Sequence, residues 1–344
     1  MSKVKKFTVI SFLLFILFSS SLEGSSIPCL CYHQVKPTAK GKFELSTQIF
    51  REQLSLLKKR NYQTINSQQF LDYLNGKDIG VKKPIVLTFD DGYLSVFQHA
   101  RPIMKEFGYI GVACVYPSFI GCSSGMKWEQ LKTLASEGWS IECHSYDHSN
   151  FIDTVDEPET SGSFFSKQIQ LAKNIVEQKT GKKSLFFTWP FGVYTIKAEE
   201  FARKVGFSGA FTVDGGGNYP GLDPFRVKRQ VIYGNDNLEK FQIKVEMGGL
   251  PLQVISPLPG QILDAKELKI CAKVLDQNGN DPLNSIWNVK VTDGKTSFSF
   301  DKEKKEIRAT LVNSLKSGTH FVDVYFRDKT SGITSQNGWF FIIE

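Results

Sequence analysis

The chain has 344 residues, of which 41% are apolar and 22% are charged. These proportions are typical of globular proteins and exclude an intrinsically disordered or collagen-like chain. The formal charge of +7 is mild and argues against a dedicated nucleic-acid-binding protein. This length favours one large domain and a smaller one.

The N-terminal segment has the layout of a secretory signal peptide. Three lysines within the first six residues precede an apolar run over residues 7–17, and small and polar residues follow as far as Ser26. The apolar run is much shorter than the about 20 residues that a membrane span needs. We therefore predict a signal peptide over residues 1–26, a periplasmic, cell-surface or extracellular protein, and no transmembrane span after cleavage.

The six cysteines permit disulfides in an exported protein but are too few for a dense disulfide framework in a chain of this length. We predict that Cys31, Cys114 and Cys143 are buried free thiols. Pro28 disfavours attachment of a lipid to Cys29.

Between residue 27 and about residue 245, strand-like and helix-like segments alternate. Helical periodicity lies over residues 46–57, 128–138 and 165–181. The predicted strands are Ile27–His33, Ile85–Phe89, Gly111–Val115, Ser140–His144, Ser184–Thr188, Gly209–Val213 and Phe225–Ile232. This alternation favours an α/β fold with a parallel sheet or a β/α barrel, whose functional site lies at the carboxyl ends of the strands.

The C-terminal part of the sequence has a different pattern. Apolar and polar residues alternate over 268–274, 287–291 and 322–326, as in half-buried strands, with turn-forming residues between them. We predict a C-terminal antiparallel β-sandwich, immunoglobulin-like in size, over residues 249–344, after a linker marked by Pro251, Pro257 and Pro259. The catalytic domain would then occupy residues 27–248.

Two carboxylates follow the predicted strand Ile85–Phe89. Asp90 and Asp91 are adjacent and Gly92 comes next, so the two anions repel one another unless a cation or a shared proton lies between them. The alternative is a plain Asp-Gly turn, which is common after strands.

Two histidines follow the predicted strand that begins at Ser140. His144 and His148 are two of only five histidines in the chain. A pair of imidazoles with a carboxylate from elsewhere forms a metal site that leaves positions open for water and substrate.

A third strand ends in an aromatic turn over Phe187–Tyr194, which contains Trp189 and Phe191. One interpretation is a hydrophobic turn packed under the barrel. The other is an aromatic wall with a backbone N–H directed at a developing oxyanion.

The chain resembles the polysaccharide deacetylases, the NodB homology domain of carbohydrate esterase family four. Phe89-Asp90-Asp91-Gly92, His144-Ser145-Tyr146-Asp147-His148 and Thr188-Trp189-Pro190-Phe191-Gly192 are similar to its three motifs, in the family's order. The resemblance covers roughly residues 28–245. Tyr32-His33 and the Trp-Pro-Phe-Gly form are most similar to the branch that acts on exported poly-N-acetylglucosamine.

The resemblance implies an irregular (β/α)7-type barrel and metal-dependent hydrolysis of an N-acetyl group. Asp91, His144 and His148 would hold one divalent ion, with zinc favoured over cobalt, iron, nickel or manganese. Asp90 would be the general base, and the backbone N–H of Phe191 would help hold the oxyanion. Trp189, Phe191 and Tyr194 would stack on sugar rings.

The sequence departs from the family pattern at two points. Family members often have an arginine before the third-motif proline that steadies the base, where this chain has Trp189, so Arg226 or Arg229 would take that role. Many members also use a late histidine as general acid, whereas the only histidine after His148 is His320. His33 and Arg229 join Trp189 and Tyr194 as candidate substrate-binding residues, although packing in the barrel is an equal alternative for His33.

The leading hypothesis is an exported de-N-acetylase of an N-acetylglucosamine polymer. A peptidoglycan or O-acetyl glycan deacetylase is the second enzyme hypothesis. The rival from another class is a non-catalytic carbohydrate-binding surface protein, whose β-sandwich contacts a glycan or the cell surface.

Overall fold

The computed structural model describes residues 26–153, 158–264, 268–275 and 285–344. All but the last residue of the predicted signal peptide lies outside these residues, so the signal peptide stays a prediction. No helix in the described ranges is long and apolar enough to cross a membrane.

The N-terminal part alternates strands and helices, as the sequence predicts. Its strands are β1 Cys29–Tyr32, β2 Gln34–Lys36, β3 Glu44–Ser46, β4 Gln63–Thr64, β5 Pro84–Phe89, β6 Val112–Val115, β7 Ser140–Cys143, β8 Phe186–Thr188, β9 Gly209–Phe211 and β10 Gln230–Val231. Its helices are α1 Thr47–Lys59, α2 Ser67–Leu74, α3 Arg101–Glu106, α4 Trp128–Ser136, α5 Pro158–Phe165, α6 Ala172–Thr180, α7 Ile196–Lys204 and α8 Leu238–Glu246. Single π-helical turns precede α3 and α6.

The main sheet is parallel, with the strand order β10-β1-β5-β6-β7-β8-β9 and with β4 paired to β5. It is curled, and Phe211 at the end of β9 forms a parallel bridge to Val227, three residues before β10. The α/β class with a parallel sheet is therefore confirmed. The curl brings the carboxyl ends of all these strands to one rim.

Burial explains why these segments form a parallel sheet and its helices. In β5, Ile85, Val86 and Leu87 are completely buried, as expected of a strand covered on both faces. The Ser46 hydroxyl caps α1 by accepting a hydrogen bond from the N–H of Ile49. Gly181 ends α6 at a φ of 69°, in the left-handed region that favours glycine.

The C-terminal part forms two sheets that enclose a separate core. Its strands are β11 Gly248–Gly249, β12 Leu252–Ser256, β13 Gln261–Leu263, β14 Ile270–Val274, β15 Ser285–Val291, β16 Thr296–Asp301, β17 Glu306–Leu311, β18 Gly318–Asp328 and β19 Thr334–Ile343. One sheet has the order β11-β19-β18-β15, with β13 also on β19, and the other has the order β12-β14-β17-β16. Buried residues such as Val289, Val324 and Trp339 fill the space between them.

Two expectations for this part need correction. The pairing is not purely antiparallel, because β11 and β13 both pair with β19 in parallel. Pro251 and Pro257 do not mark a free linker, because the segment between them forms β12, which pairs with β14. The immunoglobulin-like topology and the domain boundaries stay predictions.

The two parts pack closely against each other. The N–H of Gly338 in β19 donates to the carbonyl of Gly215 at 2.9 Å, and Gly216 bridges to Asn337. A Cβ on Gly216 would lie 2.4 Å from the carbonyl oxygen of Gln336, so only glycine permits this approach. The loop over residues 214–217 is therefore built to contact β19.

Candidate active site

Three neighbouring parts of the rim carry the predicted site residues. Asp90 and Asp91 follow β5, His144 follows β7, and Phe191 lies three residues after β8. Because β5, β6, β7 and β8 are adjacent and parallel, their carboxyl ends meet at one place. The motifs that are separated in sequence therefore converge.

The backbone around these residues is unusual. Asp91, Ser145, His148 and Phe191 all have φ between 60° and 73°, in the left-handed region that non-glycine residues rarely adopt. Such conformations cluster at functional sites, where the surrounding structure must enforce them. Here they turn the chain directly after three strands.

Asp91, His144 and His148 form a compact group of metal-ligand atoms. Oδ1 of Asp91 lies 3.5 Å from Nε2 of His144 and 3.4 Å from Nε2 of His148. Nδ1 of His144 donates to the carbonyl of Thr188 at 2.8 Å, so that Nε2 is the ring nitrogen that faces Asp91. Burial and the neighbouring His144 lower the pKa of His148 to about 4, so this ring is neutral near pH 7.

This group fits a bound divalent cation. Ligands about 2.0–2.2 Å from a tetrahedral ion lie roughly 3.3 Å from one another, close to the separations in this site. Asp91 Oδ1 is buried and has no hydrogen-bond donor among the described residues. A buried carboxylate oxygen without a donor is costly unless a cation faces it.

Asp90 has quite different surroundings. Nη1 of Arg229 donates to its Oδ1 at 2.7 Å, and the Cys31 thiol donates to its Oδ2 at 3.3 Å. Burial alone would raise the pKa of Asp90, but the charge of Arg229, with smaller contributions from His144 and His33, holds it well below its usual range. Asp90 is therefore a buried carboxylate that stays ionised.

Arg229 is itself fixed from behind. It is completely buried, and its Nε donates to the carbonyl of Thr212 while Nη1 also donates to the hydroxyl of Thr88. Arg226, the alternative, pairs instead with Glu199. Arg229 thus contacts the carboxylate of Asp90, and its burial contradicts its expected place among the substrate-contacting side chains.

Comparison with known proteins agrees with this geometry. The family model for polysaccharide deacetylases matches residues 77–210. The structure of IcaB from Ammonifex degensii aligns with a TM-score of 0.56 and 28% identity, over 64% of this chain and 95% of that one.

Two curated relatives carry the name poly-β-1,6-N-acetyl-D-glucosamine N-deacetylase. The Staphylococcus epidermidis protein is 22% identical over 211 residues, which cover 57% of this chain and 70% of that protein. The Escherichia coli K12 protein is 24% identical over 252 residues, 62% of this chain but only 37% of that longer protein.

The segment over residues 77–210 is thus similar to the polysaccharide deacetylase family, and the similarity to the IcaB structure extends beyond it. The chain is a hydrolase of the class that acts on the amide bonds of N-acetylated sugars. The recognition made from the three sequence motifs is therefore confirmed.

Among the five histidines of this deacetylase, His33 is the one beside the carboxylates that does not belong to the ligand group. Its Nδ1 is buried and has no hydrogen-bond partner among the described residues. Burial lowers its pKa, while Asp90 and Asp91 oppose that effect. His320, by contrast, lies in the C-terminal sheets and is hydrogen-bonded to the carbonyls of Thr292 and Lys316.

The aromatic residues of the third motif divide into two groups. Phe191 is 59% exposed, and its ring centroid lies 4.6 Å from that of His148. Trp189 and Tyr194 are completely buried and stack on each other, and Tyr194 packs edge-on against Phe340 of β19. The prediction that Trp189 and Tyr194 stack on sugar rings is therefore wrong, because both rings are buried: Trp189 packs against Phe187 and Phe340 covers Tyr194.

Sequence reasoning missed two residues near this site. Phe43 packs on His33 at the rim and is 41% exposed, and Tyr233 packs on the ring of Phe43. The position of Tyr233 directly after the predicted strand Phe225–Ile232 was an available signal, whereas nothing in the sequence marks Phe43. Cys31, Cys114 and Cys143 are buried free thiols, as predicted.

Proposed function

We propose that this chain is an exported, metal-dependent deacetylase that removes acetyl groups from a polymer of N-acetylglucosamine, such as the β-1,6-linked polymer after which two of its relatives are named. The observation that carries the proposal is the contrast between two adjacent carboxylates. Oδ1 of Asp91 faces two histidines and has no hydrogen-bond donor among the described residues, whereas Asp90 is held ionised by Arg229.

The metal would be held by Asp91, His144 and His148, and zinc is the first choice for a site with two imidazoles and one carboxylate. A divalent cation held there would act as a Lewis acid toward the acetyl carbonyl and would lower the pKa of water to near neutrality.

Residues of the chain itself would move the proton and stabilise the negative charge that develops during hydrolysis. Asp90 accepts a proton from the water that attacks the acetyl carbon, and Arg229 keeps Asp90 ionised and oriented for this step. The backbone N–H of Phe191 donates to the carbonyl oxygen as it becomes negative. Asp90 then passes this proton to the departing sugar nitrogen as the C–N bond breaks, so that acetate and a free amine are released.

Acetate release from N-acetylglucosamine oligomers tests this proposal. The purified mature protein is assayed as isolated, after treatment with a chelator, and after addition of Zn²⁺, Co²⁺, Ni²⁺ or Mn²⁺. We expect chelation to abolish acetate release and one of these ions to restore it, because the proposed reaction needs an ion held by Asp91, His144 and His148.

His148→Ala is the matched variant for the metal site. It removes one ligand while Asp90 and Arg229 remain, so we expect weaker metal binding by calorimetry and loss of acetate release. Activity that survives both chelation and this variant would contradict the metal assignment. Release from O-acetylated but not N-acetylated glycans, or from peptidoglycan alone, would move the substrate to the second hypothesis.

We place the domains at residues 27–248 and 249–344, preceded by a signal peptide. The contact of β19 with the loop over residues 214–217 supports a C-terminal part that stabilises the catalytic domain directly. Fractionation of cells that express the tagged full chain tests export, and retention of the protein in the cytoplasm would contradict it.

A further inference from the structure

Exposed and half-buried aromatic rings lie on both sides of the catalytic carboxylates. Along the rim, Tyr233 follows β10, His33 follows β1, and the carboxylates follow β5. On the other side, Tyr116 follows β6 and Phe191 comes after β8. The acetyl-bearing sugar must lie between these two groups, so a polymer bound there extends over at least one of them.

Phe43 and Tyr233 form one of these groups, which we call the Phe43–Tyr233 wall. Their ring centroids are 5.7 Å apart, and the ring of Phe43 lies 4.6 Å from that of His33. The wall is therefore one side chain away from the group that faces Asp90 and Asp91. Phe43 is exposed and Tyr233 is half-buried, and such a pair of aromatic rings beside an active site suits the apolar face of a sugar ring.

The wall belongs to a fixed piece of structure. The N–H of Gly234 donates to the carbonyl of Lys42 at 2.8 Å, which ties the two loops together. A Cβ at Gly234 would lie 2.4 Å from the carbonyl oxygen of Glu44, so the loops touch backbone to backbone. The N–H of Tyr233 donates to the carboxylate of Asp236 at 2.8 Å, which also holds this turn.

A lysine stands beside both rings. The Nζ of Lys42 lies 5.3 Å from the centroid of Phe43 and 5.1 Å from that of Tyr233. In the described part of the chain no carboxylate pairs with Lys42, whereas Lys36 pairs with Glu44 and Lys244 with Asp236. A sugar on the wall would therefore lie next to an uncompensated positive charge.

We propose that the Phe43–Tyr233 wall is a sugar subsite for the unit next to the one being deacetylated, and that Lys42 makes this subsite prefer an N-acetylated unit over one with a free amine. This inference rests on the proposed function. The product of deacetylation is an ammonium group, which Lys42 repels, whereas an acetamido group is neutral. The enzyme would thus act preferentially beside acetylated units and leave the polymer partly acetylated.

Kinetics with oligomers of different length test the subsite. The ratio of kcat/KM for the N-acetylglucosamine tetramer to that for the monomer is measured for the wild type, Phe43→Ala and Tyr233→Ala. We expect each variant to lower this ratio about tenfold, through a higher KM for the tetramer, because stacking contributes only when a second sugar is present. Phe298→Ala, at an exposed phenylalanine of the C-terminal sheets, is the matched control and should keep the wild-type ratio.

Calorimetric binding of the tetramer separates the subsite from the proposed function. If the wild type binds the tetramer but releases no acetate, and both wall variants weaken binding, the subsite stands and the function fails. If both variants keep the wild-type ratio and the wild-type Kd, the subsite is overturned while the function stands. If the wild type neither binds the tetramer nor releases acetate, both are overturned.

Lys42→Gln tests the selectivity. The substrates are two tetramers of the same length. One is fully acetylated, and the other has a single glucosamine next to the unit that is to be deacetylated. We expect the wild type to prefer the first by about fivefold at low salt, and Lys42→Gln to remove most of that preference. An unchanged preference in the variant would overturn the role of Lys42.

Discussion

Lys228 and Arg229 are consecutive buried cations that serve two different regions of the molecule. Arg229 faces the rim of the parallel sheet and donates to Asp90 at 2.7 Å. Lys228 faces the C-terminal sheets, where its Nζ donates to the carbonyl of Gly338 and lies 3.8 Å from Asp214.

The carboxylates respond in opposite directions. Arg229 holds the pKa of Asp90 below its usual range in spite of burial. Burial raises the pKa of Asp214, and the more distant Lys228 only partly offsets this. The comparison teaches that burial alone does not prepare a charged base, because a direct hydrogen bond from a fixed cation is also needed.

The largest expected effect separates the two carboxylates by activity. Asp90→Asn should lower kcat by about 10²–10⁴, because it removes the proposed proton acceptor and keeps the shape of the side chain. Asp214→Asn is the matched change at the other cation and should leave kcat near the wild-type value. Acetate release by both variants, at equal amounts of folded protein, makes the measurement, and equal losses would break the comparison.

Next in size is the removal of Arg229. Arg229→Met should lower kcat and destabilise the fold by about 3–5 kcal/mol, because it leaves the buried Asp90 charge without its partner. Denaturant unfolding of the single variants and of Asp90→Asn/Arg229→Met completes a double-mutant cycle. We expect the double variant to be more stable than Arg229→Met alone. Additive losses in the cycle would mean that the two side chains are not coupled.

A smaller effect is expected at the cation of the second region. Lys228→Met should cost about 1–3 kcal/mol of stability, because the buried Gly338 carbonyl loses its side-chain donor. The kcat of the folded fraction should change little, since Arg229 keeps its own contacts. Lys240→Met, at an exposed lysine, controls for loss of charge. A fall in kcat as large as that of Arg229→Met would show that the two regions act as one.

The smallest effect concerns pH. Burial raises the pKa of Asp323, which accepts a hydrogen bond from Gln336 and faces Lys228 and Lys290, with Asp214 nearby. The folded pKa of Asp323 lies above the unfolded value of about 4, so between these two values the folded state holds more protons than the unfolded state. Stability therefore falls as pH rises through this range.

Asp323→Asn should therefore reduce the loss of stability between pH 4 and neutrality by no more than about 1 kcal/mol, since Asp323 is only half-buried. Unfolding free energies measured across this pH range provide the test. A steeper loss in the variant would reverse the sign of the argument.

The sequence predicts the parallel sheet, and the meeting of the candidate site residues at one rim, for a local physical reason. Each motif follows its strand directly, so a correct strand prediction places Asp91, His144 and Phe191 at the same rim. It also narrows the partner of Asp90 to Arg226 or Arg229, but these residues lie more than 130 positions away in sequence. No local pattern decides between them.

The errors have the opposite origin. Trp189 and Tyr194 have the composition of a sugar-binding wall, yet Phe340 of β19 packs over Tyr194 and both rings are buried. The presumed linker prolines flank a strand, because β12 finds a partner in β14. Both outcomes depend on how the C-terminal sheets pack, which alternation within a strand does not specify.

The sequence by itself determined the resemblance to the family, the order of the motifs and the residue types of the proposed metal and base groups, since these depend on short segments that end buried strands. Only the tertiary structure decided which cation holds Asp90, which aromatic rings remain exposed, and that Phe43 and Tyr233 continue the rim beside His33. Those properties arise from contacts between segments far apart in the chain, whose burial is set when the two sets of sheets pack together.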